Sequence, residues 1–296
     1  MAAETNTIKT TDLAKVREKD FVYQFNAGIQ KLIEALGVTR KIAVEEGATL
    51  KALTVTGTLQ NGVVAEGDTI PLSKYSTAWT DVGTITLKKW RKGTTAEAIV
   101  KKGYDQAVGE TTDKMVKDIQ KGVRADLFTY LATGSGTATG VGLQAALANG
   151  WGQLQVLWED DAVDTVFFLN PLDVSAYLGT AQVSIQTAFG MSYIENFLGL
   201  GTVFLNSSVP AGKFYATAKE NVVLYYINVA TSALAQSFDL TTSEDELGYI
   251  GISEYPDKDT ARVMDLVMSG VTFFAERPAG VVVGTITAAG AGGTSD

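Results

Sequence analysis

Between residues 42 and 92 the chain reads as strand, long interruption, strand, with nothing of its own to pack against. Thr and Val dominate. Leu50, Ala52 or Leu53, and Val55 alternate on the way out, Ile85 and Leu87 on the way back. Between them lies VVAEGDTIPLSKYSTAWTDVG, about twenty residues with little core-forming pattern, a length uncommon inside a compact domain. Asn61-Gly62 is the signal of a tight type I′ hairpin turn. The natural reading is a two-stranded arm that projects outward. An isolated hairpin is barely stable in water, so the arm needs a partner surface, and a second copy of the chain is the simplest source.

The rest of the sequence can supply the body from which such an arm projects. Residues 1–20 are polar and read as an extended arm. Asp20 then precedes Phe21, Phe25, Ile29, Leu32, Ile33 and Leu36, one apolar stripe of a short helix with Asp20 as N-cap and Gly37 just past its end. From about Val108 to Thr133, Met115, Ile119, Val123, Leu127, Tyr130 and Leu131 recur at helical spacing. Gly122, mid-helix, suggests close packing there, and GSGTATG (134–140) reads as a flexible loop. An α/β pattern follows. Val141–Val156 is a helix and Val163–Leu169 a buried strand. Asn170-Pro171 is an N-cap with proline in the first turn. Thr202–Leu205, Phe214–Thr217 and Val222–Asn228 are strands. Ala261–Ala275 and Val281–Ile286 close the pattern, and the tail AAGAGGTSD is read as disordered.

Two zeros in the composition exclude most catalytic chemistry. The 296 residues contain no cysteine and no histidine. Disulfides, Cys/His zinc sites, thiol nucleophiles and a Ser-His-Asp triad are all ruled out. The 24 basic and 33 acidic residues give a formal charge of -9, which argues against tight nucleic-acid binding, since phosphate neutralisation supplies most of that affinity. The N-terminus has no apolar run of a secretory signal, and no stretch approaches the ~18 apolar residues of a membrane helix. A soluble, cytosolic chain with no cofactor and no metal is the resulting expectation.

The remaining motifs are weak. Gly134, Gly136 and Gly140 follow a helix rather than a strand, so the dinucleotide-binding context fails. Asp257, Asp259 and Asp265 suggest a calcium loop but lack its glycine and terminal glutamate. Asn206-Ser207-Ser208 is a sequon without a signal peptide. Two acidic clusters, Glu159-Asp160-Asp161 and Glu244-Asp245-Glu246, fall between predicted elements. They read as solvated loops or as contacts between subunits. Lys88, Lys89, Trp90, Arg91 and Lys92 form the one basic cluster, with Lys101 and Lys102 beyond. Strand alternation places Lys88 and Trp90 on one face, Lys89 and Arg91 on the other. The cluster either protects a sheet edge or meets an acidic cluster of a neighbouring subunit. The inter-subunit reading ranks above DNA binding in a chain this acidic. With Lys74 and Trp79 on the arm, these residues are the candidate inter-subunit contacts.

The order of segments resembles one family. VVAEGDTIPLS (63–73) followed by ITLKKWRKGTTAEAI (85–99), LNSSVPAGKFYATAKENVVLYYI (205–227) and MSGVTFFAERPAGVVVGTI (268–286) resemble HK97-fold major capsid proteins of tailed bacteriophages, in particular those of siphophages of Gram-positive hosts. The resemblance implies an α+β fold. Residues 1–20 become an N-arm, 21–44 a helix and lead-in, and 45–95 an extended hairpin, the E-loop. A peripheral domain takes 96–140 and 261–288 with a spine helix at about 108–133. An axial α/β domain takes 141–260, and 289–296 form a tail.

The resemblance also implies a structural, non-enzymatic role. Copies of the chain form pentamers and hexamers of an icosahedral head around double-stranded DNA, assembled in the host cytoplasm. A separate scaffolding protein, a portal and decoration proteins are the further partners. An inter-subunit cross-link known in one family member cannot be placed on this sequence. An encapsulin-type bacterial compartment is the alternative. A carboxylate-dependent α/β hydrolase and a secreted surface-layer protein are more distant ones.

Overall fold

Hydrophobic periodicity and two crossings of the chain between sheets, at 219–221 and 276–280, account for most of the architecture. The computed structural model describes residues 10–158, 163–179, 184–230, 233–243 and 247–287. Helix α1 (Thr10–Leu36) buries Phe21, Val22, Phe25, Ile29, Leu32, Ile33 and Leu36 as a single stripe. Gly37 ends it at φ +68°, and the Val38 N–H reaches back to the Ile33 carbonyl at 2.9 Å, a Schellman closure. The helix starts eleven residues before its apolar stripe, at Thr10 rather than Phe21. Asp20 is therefore not an N-cap but a mid-helix residue accepting from Gln24 Nε2 at 2.9 Å. The polar stretch expected to be extended is helical from Thr10 onward, and within it Arg17 forms ion pairs with Glu254 and Asp265.

Three sheets follow. Strands β1 (Lys41–Ala43), β2 (Thr49–Thr58), β3 (Lys74–Thr84) and β4 (Lys88–Thr95) lead into a short helix α2 (Ala96–Lys102), capped by Thr95. A single π-helical turn, Asp105–Gly109, then opens helix α3 (Glu110–Leu131), which buries Val116, Ile119, Val123, Leu127, Phe128 and Leu131. After it come β5 (Gly136–Val141), α4 (Gly142–Leu157), β6 (Thr165–Leu169), α5 (Pro171–Leu178), β7 (Gln186–Ala188), β8 (Met191–Phe197), β9 (Gly201–Leu205) and β10 (Lys213–Ala218). The chain closes with β11 (Val222–Ile227), α6 (Ala233–Ser237), β12 (Ile250–Asp257), β13 (Arg262–Ala275) and β14 (Val281–Thr287). One sheet runs β1-β11-β13-β12, with β4 also paired to β13. A second runs β5-β14-β10-β6-β9-β8-β7. The third is the β2-β3 hairpin alone.

Three expectations change here. GSGTATG is not a loop: Gly136–Val141 is β5, parallel to β14. Its glycines allow close approach, since a Cβ on Gly140 would lie 2.3 Å from the Ala146 nitrogen. Gly122 needs no such room, as nothing stands within 4 Å of its would-be Cβ. The strands at 222–227 and 281–287 also exchange places. β11 leaves the α/β pattern to pair with β13, and β14 leaves β13 to pair with β10. Sequence marks both as β-branched runs but cannot say which sheet they join.

Asn221 holds the two crossings together. Its amide donates to Thr217 Oγ1 (2.9 Å) and the Arg277 carbonyl (3.0 Å), and its oxygen accepts from the Arg277 N–H at 2.8 Å. The Thr217 hydroxyl in turn reaches the Gly280 carbonyl at 3.1 Å.

The second sheet is covered on both faces, as its fully buried β6 requires. Phe167, Leu169, Val203, Phe214 and Val282 pack with Ala146, Leu147 and Leu154 of α4 and Val174 of α5. The alternate residues Val166, Phe168, Phe204 and Tyr215 face α1, α3 and the first sheet. Phe128 meets Phe168 edge-on at 5.7 Å, and Phe25 meets Phe189 at 5.6 Å, so both helices bridge the sheets. Arg124 of α3 tightens the second contact by donating to the Phe189 carbonyl, and burial lowers its pKa from the usual arginine value.

Candidate functional site

Beyond its root the β2-β3 hairpin buries almost nothing. At its root Leu50, Ala52 and Ile85 are buried. Across the base the Gly47 N–H donates to the Ile85 carbonyl and the Ile85 N–H donates to the Ala48 carbonyl, both at 3.0 Å, and the Leu53 N–H reaches the Glu276 carbonyl at 3.3 Å. Tyr130 of α3 lies under Gly83, where a Cβ would come within 2.9 Å of its hydroxyl, and packs edge-on to Phe274 at 5.0 Å. Burial and the nearby Asp126 raise the Tyr130 pKa.

Beyond the root, β2 and β3 stay in register from Lys51↔Asp81 to Thr58↔Lys74, about 20 Å of ladder at strand rise. Tyr75 lies over Gly57, and the Thr56 and Ser76 hydroxyls pair at 3.0 Å. Asn61-Gly62 is not a two-residue turn. Residues 59–73 form a long loop instead, with the Asn61 side chain accepting from the Val63 N–H at 3.0 Å. Val55, Leu59, Val63, Ile70, Leu72, Tyr75 and Trp79 are all exposed along this arm. Lys74, at the far end of β3, is exposed as well. The projecting part spans 49–84. Residues 88–95, grouped with the arm on sequence, belong to β4 in the first sheet.

β4 splits the basic cluster by face, as alternation requires. Lys88, Trp90 and Lys92 turn inward. Lys88 pairs with Asp126 of α3, and Trp90 packs on the main core. Lys92 Nζ donates to the Thr112 and Thr111 hydroxyls at 2.6 and 2.9 Å and pairs with Asp265 at 2.8 Å. Their partners are therefore within the chain. Lys89 and Arg91 face out, on a strand that pairs with β13 alone. That is the position where charge protects a sheet edge. Glu159, Asp160, Asp161, Glu244, Asp245 and Glu246 lie outside the described residues.

The network around Asp265 was not singled out on sequence as structural. Asp265 is 1% exposed and also accepts from Thr112 at 3.2 Å and from Arg17 Nη2 at 3.5 Å. Arg17 further pairs with Glu254 and lies over the Tyr104 ring at 5.3 Å. Neighbouring Glu18 accepts from the Glu254 N–H at 2.6 Å and from the Thr241 hydroxyl. These bonds fasten Arg17 and Glu18 of α1 to β12 and β13. A long-range charge pair leaves no periodic trace in sequence. The only signal was an aspartate in the apolar run of β13. Asp257 and Asp259, its supposed calcium-loop companions, sit instead in the β12–β13 turn, where Asp257 accepts from the Asp259 N–H at 3.2 Å. Among the described residues no group of three or more carboxylates gathers in a metal-binding arrangement.

No family model matches this sequence, and no curated protein matches it. Its fold, however, is similar to solved structures over most of its length. A virus-like particle from Pyrococcus furiosus aligns with TM-score 0.53 at 13% identity, covering 92% of this chain and 99% of the other. A structure from Gordonia phage Cozz aligns with TM-score 0.54 at 13% identity, covering 88% and 87%. The mature capsid of bacteriophage PhiM1 aligns with TM-score 0.52 at 9% identity, covering 84% and 85%. The chain has the HK97-like fold. At such low identity the likeness is one of fold alone.

Proposed function

We propose that the chain is the major capsid protein of a tailed bacteriophage, a structural subunit rather than an enzyme. The observation that carries this reading is the hairpin at 49–84, seven large apolar side chains exposed on an arm with no cover, in a chain of HK97-like fold. A monomer has no use for such an arm, whereas a shell of identical copies covers it many times over. Heterologous contacts of this kind close into five- and six-fold rings, and large shared interfaces stabilise each subunit by mass action.

In this reading α1 continues from an N-arm, the hairpin is the E-loop, and α3 is the spine helix. Lys74 and Trp79 on the hairpin, with Lys89 and Arg91 on β4, are the contacts between subunits. The acidic clusters at 159–161 and 244–246 are their charge-complementary counterparts. Packaged double-stranded DNA lies near the net-negative inner surface without sequence-specific binding. A scaffolding protein, a portal and decoration proteins complete the particle, which is built in the host cytoplasm. Among the described residues no helix is long and apolar enough to cross a membrane.

Negative-stain microscopy of the expressed protein, alone and with a co-expressed scaffolding partner, tests the proposal. Closed icosahedral particles, or free pentamers and hexamers, support it. A chain that stays monomeric in both conditions overturns it. Protein cargo instead of nucleic acid inside the particles would assign the shell to an encapsulin-type compartment.

A further inference from the structure

A small polar cavity lies beside the first residues of β6. Trp151 of α4, Asp164 and Thr165, Asn196 in β8 and Lys219 after β10 line about 290 Å³ of mostly polar space. That is at the lower end of the roughly 300–1,000 Å³ of small-molecule sites. Two glycines of the β8–β9 turn keep side chains out of it. A Cβ on Gly201 would lie 2.1 Å from the Thr165 carbonyl, and Gly199, at φ +73°, has nothing within 4 Å of its would-be Cβ. In the same turn Asn196 and Leu198 hold left-handed φ values of +48° and +54°, a strained conformation that recurs where a backbone clamps a ligand.

The floor of the cavity holds an unsatisfied group. Thr165 alternates with Phe167 and Leu169, which pack towards α4, so its side chain points to the face where Trp151 lies. It is 2% exposed, and among the described residues Oγ1 has no hydrogen-bond partner. Buried polar groups are almost always satisfied, so this hydroxyl marks a place that a ligand completes.

The lining selects the ligand. Lys219 Nζ stands 3.4 Å from Asp164 Oδ2, so the one cation faces a carboxylate, and Glu159-Asp160-Asp161 precede the cavity in sequence. An anion is disfavoured. Among the described lining residues Asp164 is the single carboxylate, too few for a hard cation. Ammonium, carboxylate, carboxamide and hydroxyl together offer donors and acceptors side by side, the complement of a group that is both at once. Trp151, 39% exposed, adds an aromatic ring whose negative face attracts C–H groups. A sugar ring presents both, hydroxyls at its edge and C–H groups on its face. We propose that this cavity binds a neutral pyranose, with Trp151 against the ring and Thr165, Asp164, Asn196 and Lys219 on its hydroxyls. The site belongs to the single chain and stands apart from the shell reading.

Saturation-transfer NMR of the full-length chain tests it, with the methyl glycosides of glucose, galactose, mannose and N-acetylglucosamine as probes and inorganic phosphate as the charged counter-probe. At least one glycoside is expected to bind, and phosphate is expected to be no competitor. Trp151→Ala is expected to weaken that binding at least tenfold and Thr165→Val at least threefold. Thermal melts without sugar check the fold. Thr165→Val is expected not to lower the melting temperature, because it removes a hydroxyl that the chain itself leaves unpaired. No binding by any glycoside, a smaller effect of either variant, or displacement of the sugar by phosphate overturns the site.

Discussion

Lys92 Nζ lies 2.8 Å from Oδ2 of Asp265, a carboxylate in the first half of β13 that is 1% exposed. The pair joins an edge strand to α3 and α1, because Thr112 and Arg17 share the same carboxylate. A buried charge removed from such a pair leaves its partners uncompensated, at a cost of about 3–5 kcal/mol. Asp265→Ala is accordingly expected to destabilise the subunit by that amount in urea unfolding. Lys114→Ala, which breaks an exposed i,i+4 pair with Asp118, is expected to cost under about 0.5 kcal/mol.

Phe214 sits in a slot made by two glycines on different elements. A Cβ on Gly284 of β14 would lie 2.0 Å from its ring, and one on Gly150 of α4 would lie 2.5 Å from it. Overpacking a filled core costs about 1–3 kcal/mol. Gly284→Ala and Gly150→Ala are each expected to fall in that range, and a background Phe214→Leu change is expected to reduce the penalty. Gly122→Ala is the contrast. With open space around it, the change is expected to stabilise by up to about 1 kcal/mol through helix propensity alone. Thermal melts of these variants, alone and in the Phe214→Leu background, decide the matter.

The glycines also show what was legible in the sequence. Periodicity located α1, α3, α4, β6 and β13, because a helix or strand that buries one face must repeat its apolar residues at a fixed spacing. Asn170 and Pro171 marked the start of α5, and Asn170 does accept from the Leu172 N–H at 3.0 Å. What periodicity lacks is tertiary address. It could not separate Gly122 from Gly150, place β14 beside β10, or foresee the long-range partners of Arg17 and Glu18. The basic cluster was half legible. Alternation gave its two faces correctly, but only coordinates show Lys88 and Lys92 engaged with α3 and β13.

Tyr130 and Tyr225 predict alkaline sensitivity. Burial raises both pKa values, helped by Asp126 at Tyr130 and by Glu276 at Tyr225. A tyrosine with a raised folded-state pKa contributes its full stability below the unfolded value of about 10 and loses it as pH climbs through the folded value. The melting temperature is expected to drop above about pH 10, and less steeply in a Tyr130→Phe/Tyr225→Phe double variant. Equal slopes for the two proteins would assign the alkaline loss to other groups.

The hairpin is expected to be dispensable for folding and indispensable for assembly. Val55 faces Thr77 in the ladder, so residues 56–76 can be replaced by Asn-Gly, which closes a two-residue turn without disturbing the root. The buried anchors Leu50, Ala52 and Ile85 remain, as does the contact of Gly83 with Tyr130. Everything removed is exposed apart from the half-buried Val64, so the melting temperature of the isolated subunit is expected to change by no more than about 2 °C. Far-UV circular dichroism is expected to lose only strand signal. Under conditions where the full chain forms closed particles, the shortened chain is expected to form none, because the apolar side chains that reach a neighbour are gone. Normal particles from the shortened chain would remove the arm from the assembly mechanism and leave the contacts on the body to hold the shell.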